Sequence, residues 1–363
     1  MKKIIVALMT MVIIFLVCGC ESENQEVQDT RITTLTLMKP KGMKGFEDIA
    51  DGFEKDHTNV QVHIIDITDN TNERYKVCKA TLSGRDSDID IIVMDDIWMD
   101  EFVRADYLEP LKIGINKEKY EPNAIGFFSV DDTMYALPFS LDVGAVFYRR
   151  DRVGKAPESW EDVFNGSSGQ PIFEGTADED LLCAAIELGD RLYEAYPYFS
   201  KNSDSGVGEL RTMFKSGETD YYRGWSRDYA YFNDYDLEIG GNVGVMIPDT
   251  SVLGGRGLAV SSFSNNKDTA IKFLSYIYDS YNLREMMKRE GYIPVQKELL
   301  ADEMFADYNP CMNDINKTVS RAAVRKSDSR YVETAWNLQE ELCESISENR
   351  EPPNLKNIYY LQK

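Results

Sequence analysis

Histidine is almost missing from this chain: its 363 residues include two, His57 and His63, both close to Lys55-Asp56 and the strand that follows. Neither sits in a nucleophile motif. No Gly-x-Ser-x-Gly, His-Glu-x-x-His, phosphate-binding loop or Gly-x-Gly-x-x-Gly pattern occurs, so the common signatures of hydrolase, zinc-protease and nucleotide chemistry are lacking. Cysteine is sparse and scattered. Beyond Cys18 and Cys20 the chain has Cys78, Cys183, Cys311 and Cys343, with no Cys-x-x-Cys pair and no metal-ligand spacing. Cys78 and Cys183 fall within apolar helical patterns, which favours buried free thiols. Positive charge is also short, with 40 Lys+Arg against 62 Asp+Glu and a formal net charge of −22. That balance excludes nucleic acid and electrostatic attachment to anionic lipid, and an acidic solvated surface is the simplest account of it. No metal and no cofactor is expected.

One long apolar run exists. Lys2 and Lys3 precede a 14-residue stretch from Ile4 to Val17, which ends in Val17-Cys18-Gly19-Cys20 and then turns polar. A short basic start, an apolar segment and a small residue before a cut describe a secretory signal at 1–19. A permanent span needs roughly 20 apolar residues, so this run is marginal as one. The ending resembles the bacterial lipobox, in which the cysteine, here Cys20, is diacylated and becomes the new N-terminus. Two acyl chains anchor stably where one binds reversibly. Loss of residues 1–19 removes two of the 40 basic residues and no acid, leaving 38 against 62, a charge of −24. Residues 20–30, with a single aliphatic side chain after the cysteine, read as a lipidated flexible tether.

About 340 residues remain, more than a single core usually serves, so two lobes are expected. Ile32–Met38 alternates as a strand, and Met43, Phe46, Ile49, Ala50 and Phe53 recur at helical spacing. A second strand at 59–67 and a helix through Tyr75, Cys78 and Leu82 follow. Asp88–Met94 then reads as a strand buried on both faces. Strand, helix, strand, helix, strand with short links predicts a parallel sheet with right-handed crossovers. Asp131-Asp132 looks like a hairpin tip, and Ser159 like an N-cap with Asp162 three residues on. Later helices are expected at 180–196, 207–216, 267–279, 282–290 and 331–347, the last with a core stripe of Ala335, Leu338, Leu342 and Ile346. Strands are expected at Val243–Ile247 and Gly257–Ser261. No internal repeat is present.

Four blocks, in this order, resemble the extracellular solute-binding proteins of bacterial ABC sugar importers, the maltose-binding-protein-like solute-binding family 1. They are Phe46–Asp56 with the Val60–Val62 strand; Asp88–Asp95 running into Trp98 and Leu108-Glu-Pro-Leu111; Tyr135–Asp142 with Phe147–Asp151 and Pro157–Asp162; and Gly254–Val260 followed by Asn266–Leu274. The resemblance implies an α/β, type II periplasmic-binding-protein-like fold of two lobes, each a mixed, mainly parallel sheet flanked by helices, joined by a hinge of crossover segments. The lobes would comprise 31–142 plus 263–318 and 143–262 plus 319–363, with crossovers near 140–146, 261–265 and 316–322. A carbohydrate would bind in the cleft between them, and a monomer anchored on the extracytoplasmic face of the cell membrane would deliver it to importer permease subunits.

A sugar has apolar ring faces and a rim of hydroxyls, which proteins meet with aromatic rings and with carboxylates, amides and cations. Trp98 follows Asp95-Asp96 at the carboxyl end of a parallel strand, where ligands bind in open α/β sheets. Trp225 lies in an aromatic run from Tyr221 to Tyr235 interleaved with Arg223 and Arg227, and in the family a tryptophan at this Gly-Trp position stacks on sugar. Trp336 is one residue out of phase with its helix stripe, about 100° from the core face. Trp160 belongs to the capped helix start and reads as structural. Asp142 and Lys41 match ligand contacts of the family, and Asp95 or Asp96 is positioned to accept from hydroxyls. Arg256 stands where the Gly-Gly-x-Gly block often has an aromatic, and its fork would suit a carboxylate or phosphate on an acidic ligand. Two rival classes keep a place: a secreted glycan-active enzyme, whose paired carboxylates nothing in so acidic a chain localises, and a surface adhesin lipoprotein outside transport.

Overall fold

A computed structural model describes residues 32–200, 209–232, 239, 241–279 and 281–362. The expected signal, Cys20 and the tether lie outside the described residues. Within them, no helix is long and apolar enough to cross a membrane.

The first half opens as the sequence pattern predicts. Strand β1 (Thr33–Pro40), helix α1 (Phe46–Asp56), β2 (Val60–Ile67), helix α2 (Thr71–Ser83) and β3 (Ile91–Asp95) follow one another, and β1 pairs in parallel with both β2 and β3. Asn70 caps α2, its side chain accepting from Glu73 N at 2.9 Å. All five residues of β3 are buried, which explains their unbroken apolar run. Strands β4 (Ser129–Val130) and β5 (Thr133–Met134) form the expected hairpin. Asp131 and Asp132 at its tip adopt φ of 48° and 63°, a conformation that short polar side chains tolerate.

Strand β6 (Ala136–Arg149) joins the two halves. Its first part pairs antiparallel with β9 (Val252–Val260) and with β10 (Ile293–Pro294), and its second part pairs with β7 (Tyr221–Trp225) and β8 (Val243–Met246). Gly144 stands where the pairing changes hands. A Cβ there would lie 1.7 Å from Glu187 Oε1, so the buried Glu187–Arg223 pair seats directly on bare backbone.

β9, expected wholly in the second half, pairs with both: Arg256–Val260 pair with β3 of the first half, while Val252 and Leu253 pair with β11 (Ala323–Arg325). The chain therefore returns inside β9, and Ser261 already donates its N–H to Asp90 O beyond the strand. Gly254, Gly255 and Gly257 hide this strand from a propensity reading, although Gly257 is where the Phe128 ring packs against the backbone. Strand β12 (Tyr359–Leu361) completes the edge beside β11.

Alternation along these strands divides the core between the two sheet faces. Leu35, Leu37, Ile91, Val93, Leu258 and Val260 point to one cluster; Met38, Ile92, Met94 and Ala259 point to the other. Each fully buried Leu, Ile or Phe contributes roughly 1.5–3 kcal/mol. Helix α3 (Glu179–Leu188), capped by Asp178, helix α4 (Lys267–Asp279) and helix α5 (Tyr331–Glu348) cover the sheet. Cys78, Cys183, Cys311 and Cys343 are all free thiols, three of them buried.

Candidate ligand-binding cleft

A cleft of about 690 Å³ opens where the carboxyl ends of the first-half strands face α3, β7 and α5. Thr68–Glu73 and Lys76, from the β2–α2 loop and the start of α2, form one wall. Glu174, Asp178, Asp180, Tyr222, Trp225, Trp336 and Gln339 are on the other. The walls meet where Asn72 Nδ2 donates to Gln339 Oε1 at 2.8 Å.

The floor is built of ion pairs. Arg74 pairs with Asp95, and Arg256 Nε reaches Asp95 Oδ1 at 3.3 Å. Arg325 bridges Asp96 (3.0 Å) and Glu179 (2.9 Å), and Glu179 also accepts from Tyr331 Oη at 2.5 Å and from Gln339 Nε2 at 3.1 Å. Arg227 pairs with Asp142, whose other oxygen accepts from Ser226 Oγ at 2.5 Å. Arg223 forks onto Glu187 at 2.9 and 2.7 Å. Burial works against the Asp95 charge, but Arg74 and Arg256 hold its carboxyl below the usual range. Burial pushes Asp96 up to about 6 despite Arg325 and the Gly255 N–H. Burial, then the neighbouring Arg227, lowers Arg256 to about 10. Among the described residues, no group of three or more His, Cys, Asp or Glu could hold a metal ion.

The sequence-predicted residues are distributed unevenly over this site. Trp225 and Trp336 both line the cleft. Trp225 is held from both ends: its Nε1 donates to Asp180 Oδ1 at 2.5 Å and its backbone N–H to Asp228 Oδ2 at 3.0 Å. The guanidinium groups of Arg223, Arg227 and Arg325 lie 4.9, 5.8 and 5.8 Å from its ring. Trp336 is half-buried, meeting Tyr75 edge-on at 5.6 Å with Lys76 Nζ 5.5 Å from its ring. Asp95, Asp96, Asp142 and Arg256 line a narrow extension of the floor, again with Trp225. Lys41 lies in an adjoining bay of about 230 Å³ with Arg256.

Trp98 departs from expectation. It is 1 % exposed and lines neither the cleft nor its extensions, because the 3-10 turn Asp96–Trp98 folds the indole inward against Tyr75 and Phe102. Asp95 and Asp96, at the carboxyl end of β3, line the floor, and Trp98 two residues on does not. Trp160 stacks on Phe164 away from the cleft, as a structural residue would.

Several cleft residues escaped the sequence reading. Gln339 is buried and carries two of the hydrogen bonds above, whereas Leu338, expected in the stripe of α5, is only partly buried. The buried face of α5 is Tyr331, Ala335, Gln339 and Leu342, so a polar residue holds a position that hydropathy assigns to its neighbour. Asp178, Glu179 and Asp180 look like an ordinary acidic helix start. Their signal was the number of carboxylates in one turn, more than a cap requires.

The likeness to known proteins agrees with this architecture. Residues 48–310 match the family described as "Bacterial extracellular solute-binding protein". A Deinococcus radiodurans protein named "Probable ABC transporter-binding protein" is 20% identical over 351 residues, covering 80% of this chain and 83% of its own. Among solved structures, maltose-bound MalE3 of T. maritima superposes with a TM-score of 0.75 at 19% identity, covering 87% of this chain and 95% of that one. The GacH receptor of Streptomyces glaucescens, solved unliganded and with acarbose, gives 0.75 at 18% identity, with 88% and 95% covered. The fold is thus that of type II sugar-binding proteins, and a binding rather than enzymatic role goes with the family. With the family match covering most of its length and a ligand-sized cleft between its halves, the chain belongs to the bacterial extracellular solute-binding proteins.

Proposed function

We propose that this protein captures a carbohydrate, an oligosaccharide or sugar derivative, in the cleft between its halves and delivers it to the permease of an ABC importer. One observation carries the reading. Two tryptophans and a tyrosine, Trp225, Trp336 and Tyr222, line a cleft of about 690 Å³ together with carboxylates and amides. That combination suits a ligand with apolar faces and a hydroxyl rim, and the volume is within the usual range for small-molecule sites, about 300–1,000 Å³. Sugar-bound structures of the same fold and a relative named for ABC transport support it.

Trp225, Trp336, Asp95, Asp96, Asp142 and Arg256 are the proposed contacts, with Lys41 at the side bay. A ligand touching both walls favours the closed form by its differential affinity, and closure signals occupancy to a transporter. β6, the middle of β9 and the segment near 316–322 are the proposed hinge. Cys20 is the proposed diacylated anchor; a chain of this charge has no electrostatic hold on an anionic membrane.

A thermal-shift screen over neutral oligosaccharides, polyols, amino sugars, sugar acids and sugar phosphates tests the reading. A true ligand at a hundred times its Kd adds about 2.7 kcal/mol of stability. Absence of a saturable shift with any sugar would overturn it. Labelling cells with palmitate tests the anchor: Cys20→Ser should lose the label and appear in the medium.

A further inference from the structure

The geometry points to a seat for an oxyanion at Arg256, making the ligand of this cleft an acidic saccharide, a sugar acid or a sugar phosphate. This deepens the carbohydrate reading and rests on it.

Arg256 carries donors that the fold does not use. It projects from β9, is 8 % exposed, and lines both the floor extension and the side bay of about 230 Å³. Its Nε donates to Asp95 Oδ1 at 3.3 Å, a long bond to a carboxylate that Arg74 also holds. Its Nη1 and Nη2 make no hydrogen bond among the described residues, and unlike Nε of Arg74 and Arg325 they are not sealed from solvent. Arginine keeps its proton in proteins, so one charged fork stands open to the cavity. Burial and then Arg227 disfavour its charge and lower its pKa to about 10, an effect that an anion beside the fork would offset.

The other charges around the bay decide which ligand group suits it. Arg256 shares the bay with Lys41, Lys44, Arg211 and Arg227, and the acids there are Asp69, Asp228 and Glu290. Each of these carboxylates is engaged. Asp228 accepts from Arg211 at 3.5 Å, Trp225 N at 3.0 Å and Tyr222 Oη at 3.3 Å. Glu290 accepts from Arg289 Nε at 2.8 Å, and Asp69, exposed at the rim, from Gly42 N at 2.8 Å. Arg227 is paired with Asp142. Lys41 and Lys44 are exposed and make no side-chain hydrogen bond or ion pair among the described residues. What the bay has to spare is therefore positively charged donors. A hydroxyl would accept from one Arg256 nitrogen and leave the other open. A carboxylate or phosphate accepts from both, in the fork geometry that guanidinium favours, with the two lysines adding charge at longer range. Asp178, Glu179 and Asp180 line the main cleft and not the bay. Because the bay shares Asp69, Arg211, Arg227 and Asp228 with that cleft, a saccharide beside Trp225 and Trp336 can extend a charged substituent into it.

Calorimetry on the mature chain provides the test, with cellobiose and maltose each compared with its terminal uronic acid and its 6′-phosphate. At least one acidic member should bind about tenfold or more tightly than its neutral parent, and the uronic-acid and phosphate arms distinguish the two sources of oxyanion. In Arg256→Gln that preference should fall to about twofold or less, and in Arg256→Lys, which keeps the charge without the fork, to about threefold. Replacing Lys41 and Lys44 together by Gln, at exposed positions outside the core, should cut the preference by about two- to threefold and decides the matter if melting curves show the Arg256 variants unfolded. Neutral members binding as tightly as the acidic ones, or a preference that both Arg256→Gln and the lysine pair leave intact, would overturn the inference and leave the carbohydrate reading standing. No binding by any sugar would remove both.

Discussion

Arg325 on the cleft floor and Asp178 on the wall are both buried ions, and they differ in what surrounds them. Arg325 bridges two carboxylates, one from each half of the molecule, and those carboxylates are further satisfied by Gly255, Tyr331 and Gln339. Asp178 has one oxygen bound and one left over, with further carboxylates nearby. Charges that already answer one another add geometry and little affinity, although Arg325 Nε has no hydrogen-bond partner among the described residues. The floor thus reads as the part that aligns the halves.

The largest expected effect breaks the floor. Arg325→Met would leave Asp96 and Glu179 buried without their cation, which costs about 3–5 kcal/mol and should lower the urea midpoint sharply. Asp96 gives the next effect. Its pKa in the folded protein, about 6, lies above the ordinary 3.8. Such a raised carboxyl contributes most stability below the unfolded value, and loses that contribution as pH rises through 6. The wild type should therefore lose stability relative to Asp96→Asn between pH 4 and 7, by roughly 2–3 kcal/mol at most. Denaturation midpoints measured across that range would show it; parallel curves for the two proteins would speak against it. Trp225→Ala should weaken ligand binding by about 1–3 kcal/mol in calorimetry, through lost stacking and burial. The smallest effect is at the wall: Asp178→Asn should change stability by less than about 0.5 kcal/mol, since asparagine caps helices as well as aspartate does. A loss as large as that of Arg325→Met would erase the distinction between floor and wall.

Much of this was legible in the sequence for identifiable reasons. The first half announces itself because its strands alternate or are wholly apolar and its helices are amphipathic, so periodicity and burial agree. The return strand β9 reads short because Gly254, Gly255 and Gly257 mimic a loop, and only groups distant in sequence explain why glycine is needed there: Arg325 against Gly254, Ser140 O and Phe127 against Gly255, and Phe128 against Gly257. At the site, ring-bearing residues were found by composition, which located Trp225 and Trp336. Composition also nominated Trp98, since no local pattern says which way a tight turn will point an indole. The ion-pair floor was visible only in part. Asp95, Asp96, Asp142 and Arg256 stood out at strand ends and in motifs. Their partners Arg74, Arg227 and Arg325, and Glu179 beyond Arg325, come from four separate segments and pair only through the fold.

Amide hydrogen exchange with and without a saturating ligand from the sugar screen tests the central claim most directly. If the cleft between the halves is the binding site, protection should rise together at 68–76, 174–181, 222–228 and 336–340, which face each other across it. Protection confined to the separate groove of about 440 Å³ beside Lys297 and Ser320, with those four segments unchanged, would contradict it.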